Sequence, residues 1–170
     1  WKCGSLGVTL TPTLPYSTLH MPLTLRAATA SDEKKIKDLI HEVGINPMNL
    51  DWERFIVAEA EGAFVGCVQI KPHKDGVREL ASLAVVPEKH GAGIGSMLVK
   101  AVLEREPGEL YLMCQKGLAT YYGRFGFVEV KWNTIPRSLR VYERAGRLFS
   151  KIFGQEGIAI MRREKNGGAS

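Results

Sequence analysis

Residues 82–98, SLAVVPEKHGAGIGSML, constrain this chain more than any other stretch, because Gly91, Gly93 and Gly95 stand at alternate positions between an apolar run and a helical one. Glycine inside regular structure costs about 0.5–1 kcal/mol relative to alanine, so three together at such a junction need a reason. One reading is a flexible loop. The other is a backbone that approaches the phosphates of a ligand, with unpaired amides at a helix start aimed at the anion. Two common nucleotide loops are excluded. A dinucleotide fingerprint starting at Gly91 needs glycine where Ser96 stands, and no Gly-Lys-Ser/Thr triplet follows for a P-loop.

The surrounding pattern alternates strands and helices. LTLRAAT reads as a first strand, and SDEKKIKDLIHEVG as a helix capped by Ser31, with Ile36, Leu39, Ile40 and Val43 on one face and Gly44 as its stop. RFIVAEA, AFVGCVQIK and RELASLAVV, separated by turns at Glu61-Gly62 and PHKDG, predict three consecutive strands of a meander. Ile94, Met97, Leu98, Ala101 and Val102 continue the glycine loop as a helical stripe. ELYLMC, LATYYGRF, GFVEV and GIAIMRR predict a strand, a short helix and two more strands, with IPRSLRVYERAGRLFSKIF as an amphipathic helix before the last. A meander followed by mixed elements points to a mixed-sheet α/β or α+β fold.

A length of 170 residues suits one domain with a real core. Residues 1–20, poor in charge and preceding an initiator at Met21, read as a non-core extension. Residues 21–165 read as the domain and 166–170 as a tail. No apolar run approaches the 18 or so residues of a membrane span, so no membrane partner is expected. The formal charge of +5 suits an anionic small ligand and is too small to argue for nucleic acid. Cys3, Cys67 and Cys114 are odd in number and far apart, which favours reduced thiols and a cytoplasmic protein. His20, His41, His73 and His90 show no metal-ligand spacing, so no metal is expected.

Two motifs in order carry a resemblance. HGAGIG at 90–95 and ATYYGRFGF at 119–127 resemble the GCN5-related N-acetyltransferases (GNAT), in which R/Q-x-x-G-x-G/A binds the pyrophosphate of acetyl-CoA and a later A-x-x-[FY]-Y-x-x-x-G-F carries a catalytic tyrosine. The resemblance implies a central, mostly antiparallel mixed sheet of about six or seven strands flanked by helices. It also implies that the amides of Gly91, Ala92, Gly93, Ile94, Gly95 and Ser96 cradle the pyrophosphate, with Leu83, Ala84 and Val85 beside the pantetheine arm. His90 stands where the family has Arg or Gln, leaving the backbone contacts but altering that side chain's. Tyr122 matches the family's general acid, and its neighbour Tyr121 is the better core residue. Glu79, six residues before Val85 and on the strand face shared with Ala81 and Leu83, matches members that use a strand glutamate as base; the alternative is a carboxylate on the sheet surface.

The activity so implied is transfer of acetyl from acetyl-CoA directly to a primary amine, on a small amine or an amino acid. Acetylation of protein lysines or N-termini, and a non-catalytic acyl-CoA sensor, are the alternatives. A covalent route through Cys67 or Cys114 lacks a neighbour that would activate either thiol. Arg137, Arg140, Arg144, Arg147 and Lys151 line one face of the late helix, as a solvated stripe or as a surface for an acidic substrate or partner. That helix also resembles the segment closing the acetyltransferase domain of N-acetylglutamate synthases, which makes glutamate one candidate acceptor. A homodimer is compatible with the sequence.

Overall fold

The structure, a computed structural model, describes residues 23–140 and 157–164. The expected extension at 1–20, the tail at 166–170 and the late helix beyond Arg140, with Arg144, Arg147 and Lys151, lie outside the described residues.

Strand β1 (Leu23–Ala27) leads to helix α1 (Glu33–Glu42). Strands β2 (Phe55–Ala60), β3 (Ala63–Pro72) and β4 (Arg78–Val85) then form the expected meander. Helix α2 (Ile94–Arg105), strand β5 (Leu110–Gln115), the short helix α3 (Ala119–Gly123) and strands β6 (Val128–Glu129) and β7 (Ile158–Arg163) follow. They make one seven-stranded sheet in the order β1-β2-β3-β4-β5-β7-β6. The pair β4–β5 is parallel and the other five are antiparallel. A parallel pair needs a crossover, and α2 supplies it.

Each face of the sheet has its own core. On one, Leu98, Val99 and Val102 of α2 pack on Leu80, Leu110 and Leu112. On the other, Ile36, Leu39 and Ile40 of α1, the predicted apolar face, pack on Phe55, Val57 and Cys67. Fully burying a Leu or Ile contributes about 1.5–3 kcal/mol, which is why these stripes decide where the helices lie.

Two local expectations are corrected. Ser31 does not cap the first helix. A short 3-10 turn precedes α1, and Thr29 caps it in a capping box with Asp32, whose carboxylate accepts from the Thr29 amide at 2.8 Å. Asp32 is better placed than Ser31 because it also meets Arg26 through two hydrogen bonds, at 2.7 and 3.0 Å.

The second correction concerns β4. Cys67 pairs with Ala84 while Gln69 pairs with Ala81, so three steps along β4 oppose two along β3, a β-bulge. Ser82 takes it up at φ +54°, a left-handed conformation unusual for a residue with a Cβ. A one-residue slip exchanges faces. Leu83 therefore packs with the α2 core rather than on the face of Glu79 and Ala81. Across the bulge Gly66 is obligatory, since a Cβ there would lie 2.9 Å from the Ala84 carbonyl oxygen.

Candidate active site

The opening in the sheet lies between β4 and β5. Their register comprises Glu79↔Tyr111 and Leu80↔Leu112, although β4 runs on to Val85 and β5 to Gln115. Beyond Leu80 and Leu112 no register pairs join the two strands, so among the described residues the C-terminal half of β4 has no strand neighbour on that side.

The glycine loop stands at the end of this opening. Gly91 and Gly93 adopt φ of +82° and +79°, and a Cβ at either would meet nothing within 4 Å. Here glycine serves backbone conformation rather than tight packing. Gly93 is the N-cap of α2 and offers no side-chain cap bond, so the amides of Ile94, Gly95 and Ser96 have no intrahelical acceptor. The helix dipole adds a positive end to the same place. Ala92 is exposed, whereas the Ile94 side chain is buried in the α2 core and offers only its backbone.

On the lip of the opening, Leu83 and Val85 are half-buried and Ala84 is buried against α1. His90 turns back, and its Nε2 lies 2.8 Å from the Val85 carbonyl oxygen. The residue that departs from the family motif thus binds the end of β4.

Tyr121 and Tyr122 divide the roles differently from the sequence reading. Tyr122 is the buried one, at 7% exposure, with its ring edge-on to Tyr121 at 5.0 Å and to Phe127 at 6.3 Å. Burial pushes its hydroxyl pKa well above the ordinary tyrosine value, with the Cys114 thiol and the Tyr121 hydroxyl adding to the effect. A phenol so placed stays protonated and keeps a proton to donate. Tyr121 is half-buried and reaches the first turn of α2, its hydroxyl 3.4 Å from Ser96 Oγ and 3.1 Å from where a Cβ on Gly95 would stand. Gly95 is small because Tyr121 needs the space.

Glu79 lies on the opposite face from Tyr122, because side chains alternate along β4 and its neighbour Leu80 shares the Tyr122 core. It is 5% exposed, which removes the surface-carboxylate alternative. Its Oε2 lies 2.7 Å from His73 Nε2. Across the hairpin Lys71 is its register partner. Burial lowers the Lys71 pKa, the Glu79 charge opposes that, and Nζ donates to the Met48 carbonyl at 3.0 Å. Further along the same face the wholly buried Gln69 donates from Nε2 to Ser82 Oγ at 2.9 Å, and its Oε1 is an acceptor without a hydrogen-bond partner among the described residues.

His73, Lys71 and Gln69 were missed by sequence reasoning. Counting outward from the PHKDG turn pairs Lys71 with Glu79, so the hairpin itself held that information. Gln69 and Ser82 depend on the bulge and carried no such sign.

Cys67 and Cys114 are both buried. Burial pushes Cys67 up to about 12 and Cys114 up to about 11, which makes either thiolate costly and argues against an acetyl-cysteine route. Of the basic stripe, Arg137 and Arg140 are described: Arg137 is exposed, and Arg140 donates from Nε to the Ile135 carbonyl at 2.8 Å. Among the described residues no group of three or more His, Cys, Asp and Glu converges as a metal site, and no helix is long and apolar enough to cross a membrane.

A family model described as the acetyltransferase (GNAT) domain matches residues 51–129, from just before β2 through β6. Residues 51–129 belong to the GNAT acetyltransferase domain family. An amino-acid acetyltransferase of Ralstonia nicotianae is 35% identical over 130 residues, covering 68% of this chain and 29% of that protein. The N-acetylglutamate synthase of Neisseria gonorrhoeae, solved with coenzyme A and N-acetyl-glutamate, superposes with a TM-score of 0.67 at 19% identity, covering 85% of this chain and 35% of that one. A Mycobacterium tuberculosis protein solved in complex with CoA superposes with a TM-score of 0.64 at 22% identity, covering 83% of this chain and 98% of that one. The GNAT fold is thus shared with chains of this size and with larger ones, and this chain spans about a third of the length of the first two.

Proposed function

We propose that this GNAT domain transfers acetyl from acetyl-CoA directly to the primary amine of an amino acid. The observation that carries the reading is the parted β4–β5 pair with helix amides at its end, protonated Tyr122 on one face and buried Glu79 on the other. The pyrophosphate would take the amides from Gly91 to Ser96. The pantetheine arm would lie along Leu83, Ala84 and Val85 as an added strand. The acceptor would approach from the α1 face, where Glu79 and Gln69 Oε1 accept hydrogen bonds from an amine and the ammonium of Lys71 faces a carboxylate.

The chemistry divides across the sheet. An α-amino group has a pKa near 8 and is mostly protonated at neutral pH, so Glu79 acts as the base that frees its lone pair. A backbone amide near Val85 would stabilise the tetrahedral oxyanion. Tyr122 then gives its proton to the departing thiolate. The amino-acid class rests on similarity to the Ralstonia nicotianae enzyme and on this buried polar face.

The test is release of free thiol from acetyl-CoA against a panel of amino acids, polyamines and peptides. Turnover with an amino acid is expected. Turnover with peptides alone would move the substrate class to proteins, and acetyl-CoA binding without thiol release would make the domain a sensor.

A further inference from the structure

Glu79 is buried, and a buried base that accepts a proton at every turnover must also lose one. The residue is 5% exposed, so bulk water has little direct access to its carboxylate. His73 Nε2 stands 2.7 Å from Oε2, and the His73 side chain is itself 12% exposed against 6% for that of Glu79. His73 begins the β3–β4 turn: its amide donates to the Val77 carbonyl at 2.8 Å and its carbonyl accepts from Gly76 at 3.0 Å. The next three residues, Lys74, Asp75 and Gly76, are exposed. The imidazole therefore bridges a buried carboxylate and a solvated turn. That turn is held in place, since Asp75 Oδ2 accepts from the Ser138 amide at 3.1 Å at the start of the late helix.

We infer that His73 is a positioning and relay residue, orienting the Glu79 carboxylate and carrying the proton it collects out to solvent; the inference rests on the acetyl-transfer reading above. Imidazole can accept and give a proton near neutral pH, which a lysine or a carboxylate at the same place could not do without leaving its ordinary range. The protons balance. An ammonium acceptor loses two on becoming an amide N–H, each passing to Glu79 and on through His73. One proton reaches the CoA thiol from Tyr122, whose hydroxyl is refilled from solvent, so one proton is released net. The charged and titratable groups around the pair include, among the described residues, Lys71 opposite Glu79 on β3, Tyr111 as its register neighbour on β5, and Lys74 and Asp75 on the turn.

The test uses the full chain with acetyl-CoA and whichever acceptor gives the fastest thiol release, comparing wild type, Glu79→Gln, His73→Gln and His73→Ala. His73→Gln keeps a hydrogen-bond donor for the carboxylate but cannot relay. Its kcat is expected to fall about tenfold at neutral pH, with KM for both substrates within about twofold and a larger solvent deuterium effect on kcat. Added imidazole is expected to restore His73→Ala, a response that loss of packing alone would not give. If His73→Gln does not fold, rescue of His73→Ala decides the matter. A wild-type rate and pH profile in His73→Gln, or a slow His73→Ala that imidazole leaves unchanged, would overturn the relay while leaving the base in place. A wild-type rate in Glu79→Gln, or no thiol release with any acceptor, would overturn the reading beneath it.

Discussion

The two faces of the sheet at the β4–β5 opening are built from opposite materials. On the α2 face the surroundings are glycine backbone and apolar side chains, with a tyrosine hydroxyl whose proton burial retains. On the α1 face they are polar groups in contact, buried at Gln69 with Ser82, partly buried at Glu79 with His73, and exposed at Lys71 with Met48. One strand serves both, and the bulge at Ser82 decides which of its residues faces which way. On the reading proposed above, a thioester carrier is held by main-chain amides and apolar contact, whereas an amine needs side-chain acceptors whose desolvation is offset by partners. Substitutions on each face should therefore fail in different ways.

The largest effect is expected from Tyr122→Phe. It keeps the ring in its core and removes only the proton donor, so kcat should drop by about 10²–10⁴ with acetyl-CoA affinity nearly unchanged. Steady-state kinetics with calorimetry of CoA binding check both halves. A rate within twofold of wild type would take Tyr122 out of the mechanism and leave the α2 face as a binding surface.

Next comes the anchor of the α1 face. Asp32 is 1% exposed, and it joins Arg26, which also binds Glu59 at 2.6 Å, tying the turn before α1 to β1 and β2. Removing one partner of a fully buried ion pair costs about 3–5 kcal/mol; the Arg26 side chain is 31% exposed and keeps Glu59, so Asp32→Ala should lower the unfolding free energy by somewhat less, about 2–3 kcal/mol, measured by urea denaturation. The Arg26 guanidinium, helped by Thr29, holds the Asp32 carboxyl far below the usual range. A depressed folded-state pKa gives stability that is complete above the unfolded value of about 4 and lost as pH falls toward the folded one. Wild-type stability should decline below about pH 4, and Asp32→Asn should flatten that decline. An equal acid slope in both proteins would show that Asp32 is not the group responsible.

Glu79→Gln tests the other face directly. Loss of a general base is worth about 10² or more in rate, so kcat/KM should fall by about that factor near neutral pH and recover partly at high pH, where more of the amine is already neutral. A pH-independent loss would point to a positioning role for Glu79.

How much of this was legible in the sequence follows the same division. On the α2 face the glycine loop was legible as a local backbone demand, and Tyr122 was singled out by the resemblance of its motif, but the burial of the two tyrosines and the side taken by Leu83 were not. The stripe of α1 and the three meander strands were readable as local periodicity. The α1 face was not. The contact between His73 and Glu79 comes from closing a hairpin, and the left-handed conformation of Ser82 has no sign in a residue type that rarely adopts it. Leu83 was assigned to the wrong face because period-two counting assumes an unbroken ladder. The tyrosines were exchanged in burial because α3 spans only five residues, too few for periodicity to orient it.

The smallest effect is expected at the loop, and it separates conformation from contact. A Cβ on Gly93 would meet nothing within 4 Å, so steric collision inside the protein cannot weaken it; its φ of +79° can. Gly93→Val must either bear a strained left-handed valine or move the helix N-cap, and either displaces the amides of Ile94, Gly95 and Ser96 from a phosphate. About a tenfold rise in the Kd of CoA is expected, roughly 1.4 kcal/mol, with little change in the Kd of the acceptor. Gly93→Ala, with the smallest side chain, should show a lesser rise of the same kind. Because the groups concerned are main-chain amides meeting charge, the loss should be greater for CoA than for a pantetheine analogue that lacks the diphosphate. Equal losses for both would mean that the substitution acts on the opening between β4 and β5 rather than on an anion cradle, and the α2 face would then grip its carrier through the arm alone.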